Sequence, residues 1–130
     1  MLKAKYELLA RKGDAAGMEE VTKLMQSGAP EKDEGYILEA RLRLAQKEYD
    51  AALDILNKVL EKNPDSVPAL STKSDVLAAQ QKFDEAILVV EKLQQVLPDS
   101  AEGYYRKGML LQQLGDTPSA IQQYEVALQK

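Results

Sequence analysis

The sequence predicts an all-α fold made by repeating one helical hairpin, and three observations carry that expectation. Pro30, Pro64 and Pro98 stand 34 residues apart, and a fixed period of this size marks stacked supersecondary units. The same step relates Ala52, Ala86 and Ala120, the apolar set Leu53, Ile87 and Ile121, the large residues Tyr36, Leu70 and Tyr104, and the aromatic pair Tyr49 and Phe83. Within one period the apolar residues recur twice at the three-and-four spacing of an amphipathic helix, whereas no window alternates with the two-residue period of a strand.

Taken in order, residues 1–32 form a degenerate, shortened unit. Lys12-Gly13-Asp14 matches Leu114-Gly115-Asp116, but Met18 and Thr22 stand where the later units carry alanine and a large residue. The units 33–66, 67–100 and 101–130 follow, the last stopping short of its proline. In the first of these, Tyr36, Ala40 and Leu44 share one helical face, and Ala52, Leu56, Val59 and Leu60 line a second helix. Pro64 and Pro98 end helices because proline cannot continue the hydrogen-bond ladder. Ser66 and Thr117, just before Pro68 and Pro118, are the expected N-caps, and Gly13 and Gly115 fall in equivalent turns between paired helices.

A helix pair of this kind cannot bury its apolar stripe alone, so each unit covers the next and the ends are weakest. With nothing polar after Glu125-Val126-Ala127-Leu128-Gln129-Lys130, the side carrying Ile121, Tyr124 and Leu128 is expected to lie uncovered. That implies either a chain cut from a longer array or docking of that face on another copy, and a Met1 already inside a helix pattern favours the first.

Composition narrows the function. The 130 residues hold no cysteine and no histidine, which removes disulfides, thiolate and histidine catalysis, and the usual structural zinc ligands; no cofactor or metal is expected. A formal charge of -4 gives no general attraction for phosphate backbones, so nucleic acid is not an expected partner. No apolar run reaches the length of a membrane span and none near Met1 resembles a signal, so a soluble chain is expected, its compartment open.

The residues on the 34-step register resemble the tetratricopeptide repeat (TPR) family over nearly the whole chain. In that register the family's opening aromatic falls on Tyr36, Leu70 and Tyr104, its small residue on Ala40, Ser74 and Gly108, its alanine on Ala52, Ala86 and Ala120, its large residue on Leu56, Val90 and Tyr124, and its closing proline on Pro64 and Pro98. Departures are Glu39, Lys73 and Lys107 for a leucine and Arg43 for a tyrosine. The resemblance implies a right-handed superhelical solenoid of antiparallel helix pairs and a non-catalytic scaffold that holds a peptide segment or partner protein in a concave groove lined by first helices.

By the same resemblance the groove residues are Leu38, Arg41, Leu44, Thr72, Asp75, Tyr105, Arg106, Met109 and Gln112. Leu38, Leu44 and Met109 would seat apolar anchors, Arg41 and Arg106 would hold carboxylates, and Tyr105 would supply a rigid amphipathic contact. The competing expectation for Ile37, Leu38 and Leu44 is packing against the first unit. The carboxylate clamp by which one subclass grips chaperone tails is mostly missing: Arg106 keeps its arginine, but Glu102, Thr72, Ile37 and Arg41 replace its other residues. Self-association through Ile121, Tyr124 and Leu128 is the alternative function.

Catalytic readings are weaker. Ser71-Thr72-Lys73-Ser74 sets hydroxyls beside an amine, yet residues one and two apart on a helix point to different sides. Glu19-Glu20, Asp33-Glu34 and Asp84-Glu85 read as charges placed at helix N-termini, and Gly103 and Gly108 do not form a phosphate loop.

Overall fold

The computed structural model describes residues 1–130, all of them in helices or the short turns between. Eight helices follow one another: α1 (Leu2–Lys12), α2 (Ala15–Gly28), α3 (Glu34–Ala45), α4 (Tyr49–Lys62), α5 (Val67–Ala79), α6 (Phe83–Val96), α7 (Ala101–Gln113) and α8 (Thr117–Leu128). The even-numbered helices all begin on the 34-residue step, at Ala15, Tyr49, Phe83 and Thr117. None of the helices is long and apolar enough to cross a membrane.

The packing divides the chain into two compact units, Met1–Lys62 and Asn63–Lys130. In the first, α2 packs on α1 and α3, and α3 packs on α4; in the second, α6 packs on α5 and α7, and α7 packs on α8.

One turn design recurs four times. Gly13, Lys47, Gln81 and Gly115, each 34 residues from the next, all have positive φ, between 62° and 84°. The N–H of the following residue reaches back five residues in every case: Asp14 to Leu9 O, Glu48 to Arg43 O, Lys82 to Leu77 O and Asp116 to Leu111 O, at 2.8 to 3.0 Å. This left-handed cap satisfies carbonyls that the helix end leaves open. Two of the four turns use glycine as expected, while Lys47 and Gln81 hold the same conformation at a steric cost.

Caps at the helix starts follow equally local chemistry. The side chains of Asp14, Ser66, Ser100 and Asp116 accept from backbone N–H groups of Gly17, Ala69, Glu102 and Ser119. Ser66 is thus the cap its spacing predicts, but Thr117 is the first helical residue and Asp116 does the capping. Thr117 stands one place too late because Pro118 occupies the second helical position.

In each unit one first helix comes close to the second helix that precedes it, α3 to α2 and α7 to α6. A Cβ on Gly35 would lie 2.9 Å from Met25 Cβ, and one on Gly103 would lie 2.8 Å from Gln94 Cγ. Only glycine permits these approaches without displacement. The first unit's inner cluster is Tyr6, Val21 and Leu38, with Leu9, Met18 and Met25 against it. Tyr6 donates its buried hydroxyl to Leu38 O at 3.0 Å, and burial raises its pKa against the opposing charge of Arg41.

Glu19 corrects one expectation. It lies inside α2, away from the first turn, and its carboxylate is 2.8 Å from Arg43 Nη2 and 3.5 Å from Lys23 Nζ. Arg43, one of the departures from the family pattern, therefore finds its counter-charge on the preceding helix. The hydrogen bond from Arg43, then its charge, holds the Glu19 carboxyl below the ordinary glutamate range.

The strained turns and this ion pair each have a measurable consequence. Lys47→Gly and Gln81→Gly each relieve a left-handed side chain worth about 1 kcal/mol, so each variant's thermal midpoint, followed by circular dichroism, rises by roughly 2 to 6 °C. A carboxylate whose folded pKa is depressed contributes stability above its unfolded pKa and loses it as pH falls through the folded value. Glu19→Gln is therefore less stable than the parent near pH 7, and urea titrations show the difference shrinking as pH falls from about 6 to about 3.

Candidate functional site

The residues expected to line a groove separate into three groups. Leu38 and Thr72 are buried and unavailable to a ligand. Leu38 packs with Tyr6 and Val21, which is the competing packing expectation, and the Thr72 hydroxyl donates to Pro68 O at 2.8 Å. Ile37 is buried too, and Leu44 is half-buried on α3. Arg41 is exposed on the same helix.

The second unit gathers the rest. Arg106 on α7 reaches Asp75 Oδ1 at 2.7 Å, Glu102 Oε1 at 3.1 Å, Ser74 Oγ at 3.2 Å and Ser71 O at 3.4 Å. The Ser71 hydroxyl donates to Glu102 Oε1 at 3.3 Å, and Ser74 donates to Ser71 O at 2.7 Å. Ser74, the small packing residue of the register, and Ser71 link α5 to α7: Ser71 accepts through its carbonyl and donates through its hydroxyl, and Ser74 accepts at its hydroxyl oxygen. The guanidinium is three-quarters shielded and already holds two carboxylates, so it does not present a free cation for a partner's carboxylate as expected. Two acids around one base leave this patch net negative, with the Asp75 carboxylate half-exposed.

Beside the patch, Tyr105 and Met109 stand out from α7 one turn apart, 54% and 46% exposed, and Gln112 and Gln113 continue the exposed row. Helical neighbours four apart lie on one face, so the tyrosine, the thioether and the amide form a strip along the helix. Gln112 also accepts from the Tyr124 hydroxyl at 2.9 Å, which fixes its amide.

Tyr105 also belongs to a second feature. Its ring lies against Tyr124 with centroids 5.8 Å apart at 47°. Together with Ala101, Glu102, Ala127 and Leu128 the two rings wall an open, mostly apolar hollow of about 490 Å³ between α7 and α8. Leu128 and Ile121 are exposed at 88% and 50%; Tyr124 and Leu128 meet in this hollow, but Ile121 lies outside its walls. Gly108 makes room for the ring, since a Cβ there would be 2.7 Å from Tyr124 Cε1.

The helical register that builds these faces recurs in known proteins. A tetratricopeptide-repeat family model matches residues 43–114, and a second model of the same description matches 101–129. The chain belongs to the tetratricopeptide-repeat family. No curated protein matches it. Among solved structures, the thermophilic TPR protein TTC0263 of Thermus thermophilus superposes with a TM-score of 0.82 at 17% identity, covering 96% of this chain and 70% of that one. A crystal structure of MamA gives 0.80 at 20% identity over 98% of this chain and 75% of that one. MamA from Desulfovibrio magneticus RS-1 gives 0.78 at 19%, covering 98% and 72%. At these identities the likeness is one of fold, an all-helical repeat. Membership of the TPR family assigns the coarse role of a protein–protein interaction scaffold.

The Gly108 cradle is directly testable. Gly108→Ala drives a methyl into the Tyr124 ring and lowers stability by about 1 to 3 kcal/mol in urea unfolding. Adding Tyr124→Leu, which recreates the alanine–leucine combination of Ala40 and Leu56, recovers most of the loss.

Proposed function

We propose that this TPR chain is a non-catalytic module whose α5–α7 surface binds a short segment of another protein. The observation that carries the reading is the exposed Tyr105–Met109 strip running beside a net-negative Asp75–Arg106–Glu102 patch. A large aromatic and a flexible thioether supply contact area for apolar side chains. The neighbouring carboxylates favour a basic residue on the partner, and Gln112 and Gln113 provide amides for a peptide backbone or polar side chain. The expected ligand thus carries one or two apolar anchors flanked by lysine or arginine. That reverses the ligand charge implied by Arg106 when it is read as a free carboxylate holder.

Selection from a random peptide library on the immobilised protein tests this. Enriched peptides combine an aliphatic or aromatic residue with a nearby basic one. Met109→Ala and Tyr105→Ala each weaken the best peptide by roughly tenfold or more, and Asp75→Asn weakens it less while flattening its salt dependence. Enrichment of acidic peptides, or binding indifferent to all three substitutions with the helical spectrum intact, rejects the reading.

A further inference from the structure

A hollow of about 530 Å³ opens on the α3–α4 hairpin, wholly inside the first unit. Tyr36, half-buried, is its aromatic wall, joined by Pro30 from the α2–α3 turn and by Ile55 and Val59 from α4. Charged side chains complete the lining, with Asp33, Glu39 and Glu61 against Lys58 and Lys62. The acids outnumber the bases.

Glu39 is the unusual member. It is partly buried, yet its carboxylate has no ion-pair or hydrogen-bond partner in its unit. Arg43, one turn further along α3, is held by Glu19 at 2.8 Å. Two periods on, Lys107 occupies the same register position and is paired with Glu91 at 3.0 Å. A shielded carboxylate left without a partner costs free energy that an incoming cation recovers.

The second unit shows what such a ring holds. Two periods from Pro30 and Tyr36 stand Pro98 and Tyr104. The Tyr104 hydroxyl donates to Pro98 O at 3.3 Å, and the Lys130 ammonium stands 5.5 Å from the ring centroid, in range of a cation–π contact. Lys62 is the counterpart of Lys130, but it is exposed and reaches no ring, so no cation covers Tyr36.

We propose that this hollow binds an arginine side chain of a partner protein, its guanidinium between the Tyr36 ring and the Glu39 carboxylate and its stem along Ile55 and Val59. A guanidinium suits these walls better than an ammonium. Its planar fork lies flat on a ring, engages both oxygens of a carboxylate and is weakly hydrated. The volume is on the scale of sites for whole small molecules, which leaves room for the backbone on either side of the arginine. Lys62, placed as Lys130 is over Tyr104, acts as an internal competitor for the ring. The site shares no residue with the α5–α7 surface.

A blocked tripeptide, acetyl-Leu-Arg-Leu amide, titrated into the intact isotope-labelled protein and followed by amide NMR, tests this. The shifted amides cluster at Tyr36, Glu39 and Val59, and the matching citrulline peptide, which keeps the shape without the charge, binds about fivefold or more weakly. Glu39→Gln and Tyr36→Leu each weaken binding roughly two- to fivefold; the second places here the residue that Leu70 supplies at this register position. Glu39→Gln does so without loss of thermal stability, since no folded-state partner is removed. Lys62→Ala strengthens binding about twofold, which a merely structural lysine does not do. Shifts confined to α5 and α7 overturn the inference and leave the α5–α7 reading intact. Equal binding of the citrulline peptide, or weaker binding by Lys62→Ala, overturns it too. Butylguanidinium binding as tightly as the tripeptide assigns the hollow to a free cation and overturns the protein partner.

Discussion

Everything in either unit depends on the close approach of a first helix to the second helix preceding it. A two-helix hairpin of this length hides only one side of each helix, and the remaining apolar stripe is removed from water only when the next helix lies against it. The approach is limited by what stands at the third register position, and Gly35 and Gly103 leave no side chain there at all. With the backbones brought together, polar side chains of neighbouring helices come within hydrogen-bonding reach. Gln26 then donates to Gly35 O at 3.4 Å, and Gln94 donates to Gln123 at 3.1 Å.

Packing within a hairpin obeys a matching rule of volume. The small register position holds Tyr6, Ala40, Ser74 and Gly108 in successive units, and the large one holds Thr22, Leu56, Val90 and Tyr124. Tyrosine at the small position of the first unit accompanies threonine at the large one, the reverse of the fourth. Thr22 is fully buried with its hydroxyl donated to Glu19 O at 2.7 Å, so a polar residue in the core leaves no orphaned donor. The first unit is degenerate by residue type but fills the same space, which is what close packing requires.

These particulars explain how far the residues alone can be read. The helices, their order and the Gly13 and Gly115 turns are legible because proline, glycine and apolar spacing act locally. Lys47 and Gln81 hide their left-handed turns, since neither side chain announces that conformation and only the equivalence of the four turns reveals it. The site is less legible. Arg106 reads as a free cation until Asp75, Ser74 and Ser71, 31 to 35 residues away, are seen around it. Leu38 and Leu128 are both leucines on helical faces; burial of one and exposure of the other depend on whether a neighbouring helix lies over them, and no local pattern encodes that. Tyr105 suits a groove by its register, yet its contact with Tyr124 also makes it a wall of the terminal hollow.

The charged departures from the family pattern have a common logic. Where the register usually places an apolar residue between helices, this chain places Arg43 opposite Glu19 and Lys107 opposite Glu91, at 2.8 and 3.0 Å. Partly exposed ion pairs contribute little net stability, so their presence in the joints is poorly explained by strength. They do discriminate: a helix slipped by one residue, or a wrong helix in the seat, leaves a half-shielded charge without its partner, and such a mismatch costs more than the matched pair gains. A joint built this way selects its occupant by charge position as well as by shape.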